Sequence, residues 1–135
     1  MQIFDNIRAK NVSLFEKIIF ISGDIEIDGL QMGDQDELKI INDVNIIFHC
    51  AANIKFNDPI KNAVNINVAG TLRVLQLAEK VKHLEVFSYM STAFCQSFQE
   101  DLDEKQYKTC VDAKKIIEKT QLMDSESLVH LEHEL

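Results

Sequence analysis

The sequence predicts an α/β chain built around a parallel sheet, and three observations carry that prediction. Runs rich in β-branched and aromatic residues occur at Lys17–Ser22, Val44–Cys50 and Glu85–Met90. They are continuously apolar rather than alternating, the pattern of strands covered on both faces. Helical patterns lie between them, and strand–helix–strand–helix–strand is the grammar of a parallel sheet with right-handed crossovers.

Taken in order, Ile3 to Phe15 is weakly helical, with apolar residues at Ile3, Phe4, Ile7 and Val12. The first strand, KIIFIS, stops at Gly23-Asp24, a turn signal. Asp34 to Ile41 is expected to form a short helix capped by Asp34, with Glu37 three residues on. The second strand runs into Ala51-Ala52-Asn53. Asp58 and Pro59 then open the strongest helix, Asp58 as N-cap and Pro59 in the first helical position. Ile60, Val64, Val68, Leu72 and Leu75 form one apolar stripe on it, and Ala63, Ile66, Val74, Leu77 and Val81 a second, so cover on two sides is expected. The third strand ends at Ser91-Thr92-Ala93, and helical patterns follow at Val111–Thr120 and Ser125–Leu135.

Composition narrows the function. The 135 residues carry a net charge of −8 and no basic face, which argues against a nucleic-acid partner. Ten Asp and Glu against five Lys from Gln96 onward mark 96–135 as an acidic helical segment beside a core at 17–95, together one domain, 1–135. Cys50, Cys95 and Cys110 are odd in number and irregular in spacing. They suit a reducing, intracellular compartment rather than a disulfide framework or a zinc site. No signal peptide or bilayer-length apolar run is present.

Ligands of such sheets sit beyond the carboxyl ends of the strands. Three turns there hold candidates. Asp24 can accept a hydrogen bond from an exocyclic amine such as that of adenine, or simply close a turn. Ala51 and Ala52 are small enough for a planar ligand or ribose to approach the backbone, or mark a tight exit. Ser91 and Thr92 place hydroxyls where a reacting oxygen can be bound, or cap a turn. Asn67 and Gly70 are unfavourable inside the long helix, costing roughly 0.5 and 1 kcal/mol against Ala. They call for a close backbone approach or a needed polar group. His49, within an apolar strand, reads as a satisfied core histidine, Cys50 and Cys95 as packing residues, and His130 and His133 as a solvated face. No metal site is expected.

The run NIIFHCAANIKFNDPIKNAVNINVAGTLRVLQLAEKVKHLEVFSYMSTAF resembles the extended short-chain dehydrogenase/reductases. Within them it is most similar to the fatty acyl-CoA reductases, whose domain is also called the male-sterility type. The motifs are HCAA, an F-x-D/E-P helix entry, N-V-x-G-T inside the helix and V-F-x-x-x-S-T-A at a strand end. The resemblance implies a partial Rossmann-like doubly wound parallel sheet lacking its first βαβ unit. It implies NADPH-dependent reduction of long-chain acyl-CoA to a primary alcohol through an aldehyde. Asp24 then matches the aspartate that binds adenine, with Ile25 packing beside the ring. Ala51 and Ala52 match residues lining the cofactor ribose, and Asn67 the asparagine that holds the proton-relay water. Thr92 matches the hydroxyl that binds the substrate carbonyl, with Ser91 beside it. The helix at 59–82 matches one that often forms a homodimer interface. Full-length members include forms associated with peroxisomal or endoplasmic reticulum membranes.

The chain also departs from the pattern. Gly23, Gly29, Gly33 and Gly70 do not make the G-x-x-G-x-x-G turn that grips a pyrophosphate. Tyr89 and Tyr107 are followed four residues on by Ala93 and Val111, not by the Lys of Tyr-x-x-x-Lys. The chain is therefore read as an internal, inactive stretch of such a domain. Two rivals stand beside this. One is another extended short-chain reductase or epimerase, disfavoured by the long acidic insertion at 96–121. The other is a non-enzymatic paralogue that dimerises, which a stable dimer without nucleotide binding would favour. By itself the 135-residue chain is expected to bind NADPH weakly or not at all and to show no turnover; micromolar affinity by calorimetry would refute this.

Overall fold

A computed structural model describes residues 4–10, 12–55, 57–97, 99–108 and 111–123. The expected helix Ser125–Leu135, with His130 and His133, lies outside the described residues, as does Cys110. Helices α1 (Asp5–Lys10) and α2 (Val12–Phe15) come first, then a 3-10 turn at Asp28–Gln31 and helix α3 (Asp34–Asp43). Strand β1 (Ile46–His49) leads into one helical rod in three parts: α4 (Ile60–Ala63), a π-helical stretch at Val64–Ala69, and α5 (Gly70–Ala78). Strand β2 (Val86–Tyr89), a 3-10 turn at Ala93–Gln96 and helix α6 (Ala113–Leu122) complete the order.

The result is α/β, with β1 and β2 paired in parallel, Ile46 opposite Val86 and His49 opposite Tyr89. A parallel pair needs a long crossover, and the rod supplies it. The core sits along that rod: Val64, Ala69, Leu77 and Ala78 are buried, with Val81 just beyond it and Leu30 from the 3-10 turn. Helix α6 packs on α4 and the π-helical stretch, and the Asp28–Gln31 turn packs on α5. Most of the two apolar stripes of the rod thus find cover within the chain, while Leu75 stays exposed. Among the described residues no helix is long and apolar enough to cross a membrane.

Several local expectations are corrected by tertiary partners. Lys17–Ser22 is not a buried strand: the segment from Ile18 has no ladder partner among the described residues, and Ile19 and Phe20 are 67% and 71% exposed. Propensity favours an extended backbone but cannot provide a neighbour. Nor are β1 and β2 covered on both faces, since Ile46, Phe48 and Val86 lie open on one of them. The rod begins one residue later than expected, with Pro59 at the N-cap position and the Asp58 carboxylate turned to Asn53 instead. Gly33, not Asp34, caps α3, and Glu37 pairs with Lys80 at 2.8 Å rather than reaching back to the helix start.

Inside the π-helical stretch the Gly70 N–H reaches back five residues to the Asn65 carbonyl. Arg73 braces this widened turn. Its Nη1 donates to the carbonyls of Asn65 (3.2 Å) and Ile25 (3.1 Å), its Nη2 to Asn65 Oδ1 (3.1 Å), and its Nε to Asp28 (2.7 Å). Asp28 is almost wholly exposed, so the ion pair itself adds little. The carbonyls matter more, because a half-buried acceptor left alone is costly.

Gly70 is explained by contact. A Cβ there would meet Ile25 Cγ1 at 2.6 Å and its carbonyl oxygen at 3.2 Å, so Ile25 lies on bare helix backbone. Gly70→Ala is expected to lower stability by about 1–2 kcal/mol, the overpacking outweighing the helix propensity gained. Urea denaturation checks this, and adding Ile25→Ala should recover part of the loss.

Candidate functional site

The carboxyl ends of both strands open on a cleft of about 590 Å³. It is lined by Cys50, Ala52 to Lys55 and Asp58 after β1, by Ala63 and Asn67 from the rod, and by Tyr89 to Thr92 with Phe94 and Cys95 at and beyond the end of β2. Of the residues singled out from sequence, Ala52, Asn67, Ser91 and Thr92 come together here. Ala51 is exposed beside the cleft without lining it. Asp24 and Ile25 lie elsewhere, in the turn against Gly70.

Asn67 is a two-point clamp on the chain leaving β1. Its Oδ1 accepts from the Asn53 N–H at 2.7 Å, and its Nδ2 donates to the Asn53 carbonyl at 3.0 Å. Asn53 is tied further, its Nδ2 to the Asp58 carboxylate and its Oδ1 to the Lys55 N–H at 3.0 Å. A helical Asn is thus satisfied by another segment's backbone, which answers why the rod tolerates it. An amide side chain has two donor hydrogens and two lone pairs, so one of each remains beyond the clamp.

Behind the cleft, His49 is 4% exposed and satisfied, as expected of a core histidine. Its Nε2 lies 3.0 Å from Thr71 Oγ1, and that hydroxyl donates to the Asn67 carbonyl at 2.7 Å. The hydroxyl's proton is therefore committed, so the ring nitrogen must be the donor, with hydrogen on Nε2. The ring stacks on Tyr89 at 5.2 Å, and burial pushes its pKa below 6.5.

The hydroxyls at the end of β2 are exposed. Thr92 Oγ1 accepts from the Phe94 N–H at 3.3 Å and caps the short 3-10 turn, yet its own proton stays free to donate. Asp24 Oδ1 accepts from the Glu26 N–H at 2.8 Å, while the Asp24 N–H donates to the Leu30 carbonyl. Asp24 thus closes a turn, and the second oxygen of its carboxylate is not used by that bond. Cys50 and Cys95 are exposed on the cleft, not packing residues as expected, because the strand ends open to solvent there. Ile54, Met90 and Phe94 give the cleft an exposed apolar side. Tyr107 is used structurally, its hydroxyl accepting from the Asp103 N–H at 2.7 Å. Sequence reasoning missed Asn53, Thr71 and Arg73. Thr71 had a signal, standing four residues after Asn67 on the same helix face.

Residues 1–130 match an NAD-binding family model described as male sterility protein. The chain is 39% identical over 123 residues to human fatty acyl-CoA reductase 1, covering 91% of this chain and 24% of that protein. It is 37% identical over 129 residues to fatty acyl-CoA reductase 1 of Xenopus laevis, covering 96% and 25%. It is 31% identical over 134 residues to the putative fatty acyl-CoA reductase CG8306 of Drosophila melanogaster, covering 98% and 26%. The chain thus spans about a quarter of the length of these relatives.

A histidine whose pKa is lowered by folding stays neutral in the fold while the unfolded chain takes up a proton. Stability is therefore lost as pH falls below 6.5 toward the depressed value, and is flat with respect to this group above it. Thermal melts of the wild type should show this slope, and His49→Phe should lack it.

Proposed function

This chain belongs to the male sterility protein family of NAD-binding domains, and from that premise we propose that it forms the strand-end part of a fatty acyl-CoA reductase. The full-length protein would reduce a long-chain acyl-CoA to a primary alcohol with NADPH. The convergence of Ala52, Asn67, Ser91 and Thr92 on one cleft carries the reading, since these residues lie up to 40 apart in sequence. The family supports a nicotinamide cofactor, and the preference for NADPH over NADH is part of the proposal. So is the inclusion of the parallel pair in a doubly wound sheet.

The residues present fit such a cofactor and substrate. Ala51 and Ala52 put no bulky side chain beside the backbone at the β1 exit. Asp24 keeps a carboxylate oxygen for an adenine amine. The cofactor, when bound, supplies the hydride. Thr92 donates its free proton to the substrate carbonyl and steadies the negative charge that develops on that oxygen, with Ser91 beside it. Asn67, held rigid by Asn53, offers its remaining donor and acceptor to a water that feeds the proton path. Ile54, Met90 and Phe94 give an acyl chain apolar surface to lie on. A homodimer through 59–82 belongs to the same reading, and Leu75 and Gln76 are exposed residues of α5 available to it.

In the full-length protein, Thr92→Val is expected to lower kcat by roughly 10²–10³-fold, the usual effect of removing one oxyanion donor. KM should change little, and Thr92→Ser should restore most of the rate. Unchanged kcat in Thr92→Val would refute the assigned role.

A further inference from the structure

We propose that Thr71 and His49 are positioning residues for Asn67, together forming a hydrogen-bonded strut from the sheet to the cleft. Asn67 lies in the π-helical stretch, whose widened turn departs from regular α-helical hydrogen bonding. The Asn67 carbonyl accepts from Thr71 Oγ1 at 2.7 Å, and Thr71 Oγ1 faces His49 Nε2 at 3.0 Å. His49 is anchored in turn, because β1 pairs with β2 and its ring stacks on Tyr89. The backbone of Asn67 is therefore referenced to the sheet rather than to its own helix alone. With the carbonyl held, the amide reaches Asn53 at both ends, at 2.7 and 3.0 Å. Without the strut, the widened turn can relax toward ordinary helix, and a change of turn type rotates Asn67 off Asn53. The strut stands on these bonds; only its catalytic meaning rests on the reductase reading.

The test is hydrogen exchange followed by NMR on the chain labelled with nitrogen-15. Thr71→Val keeps the shape of the side chain and removes the hydroxyl. It should speed exchange of the Asn53 amide roughly tenfold, the worth of one part-buried hydrogen bond, and shift the Asn67 side-chain amide resonances. The Phe87 amide in β2 should be unaffected, and Thr71→Ser should restore the wild-type pattern. Wild-type exchange at Asn53 in Thr71→Val would overturn the proposal. If that variant also loosens Phe87, His49→Phe decides by the same comparison: faster exchange at Asn53 alone supports the strut, and unchanged exchange refutes it. In the full-length enzyme, Thr71→Val should lower kcat more than it alters KM. Faster exchange with undiminished kcat would leave the strut standing and remove Asn67 from the proposed reaction.

Discussion

The widened helical turn at Val64–Ala69 is the feature on which the rest of the molecule depends. A π-helical turn exchanges regular i to i+4 bonding for a register that must be stabilised from outside. Here the outside bonds are specific: Arg73 on the Asn65 carbonyl and side chain, Thr71 on the Asn67 carbonyl. In return Asn67 faces the chain leaving β1 and grips it at two points.

The same turn joins two regions far apart in sequence. Ile25 lies on Gly70, where the π-helical stretch gives way to α5, and Arg73 holds the Ile25 carbonyl. The segment carrying Asp24 is therefore docked on the rod that carries Asn67. The Asp28–Gln31 turn pays for this fit with backbone strain: Leu30 and Gln31 have φ of 60° and 48°, in a region unfavourable for side chains with a Cβ. Burial of Leu30 against the rod offsets that strain. Displacing this loop would disturb the cleft and the Asp24 turn together, because both are referenced to one helix.

Polar groups in these turns keep bonding capacity that the fold does not use. The Thr92 hydroxyl caps a turn through a lone pair and keeps its proton, and Asp24 closes a turn through one oxygen and keeps the other. A local structural role and a ligand role are compatible whenever a group has more bonding capacity than the fold uses. The strand, by contrast, has no such reserve. Ile46, Phe48 and Val86 are apolar and lie bare on one sheet face, so the β-branched pattern here reports a covered surface that the described residues do not supply.

The sequence by itself determined the order of the central strand–helix–strand unit, the parallel pairing, and the candidates at the strand ends. These follow from apolar periodicity and from residues that are costly where they stand, such as Asn67 and Gly70. Both of those oddities proved to be contacts across the fold, with Asn53 and Ile25. Only the tertiary structure decided which carboxylate capped what, for Asp58 and Glu37 were drawn to Asn53 and Lys80. It alone revealed the π-helical turn, because that turn is held by bonds from Arg73 and Thr71 that apolar periodicity does not report. It also left Lys17–Ser22 without a partner strand among the described residues, since a strand is made by its neighbour and periodicity describes one segment at a time.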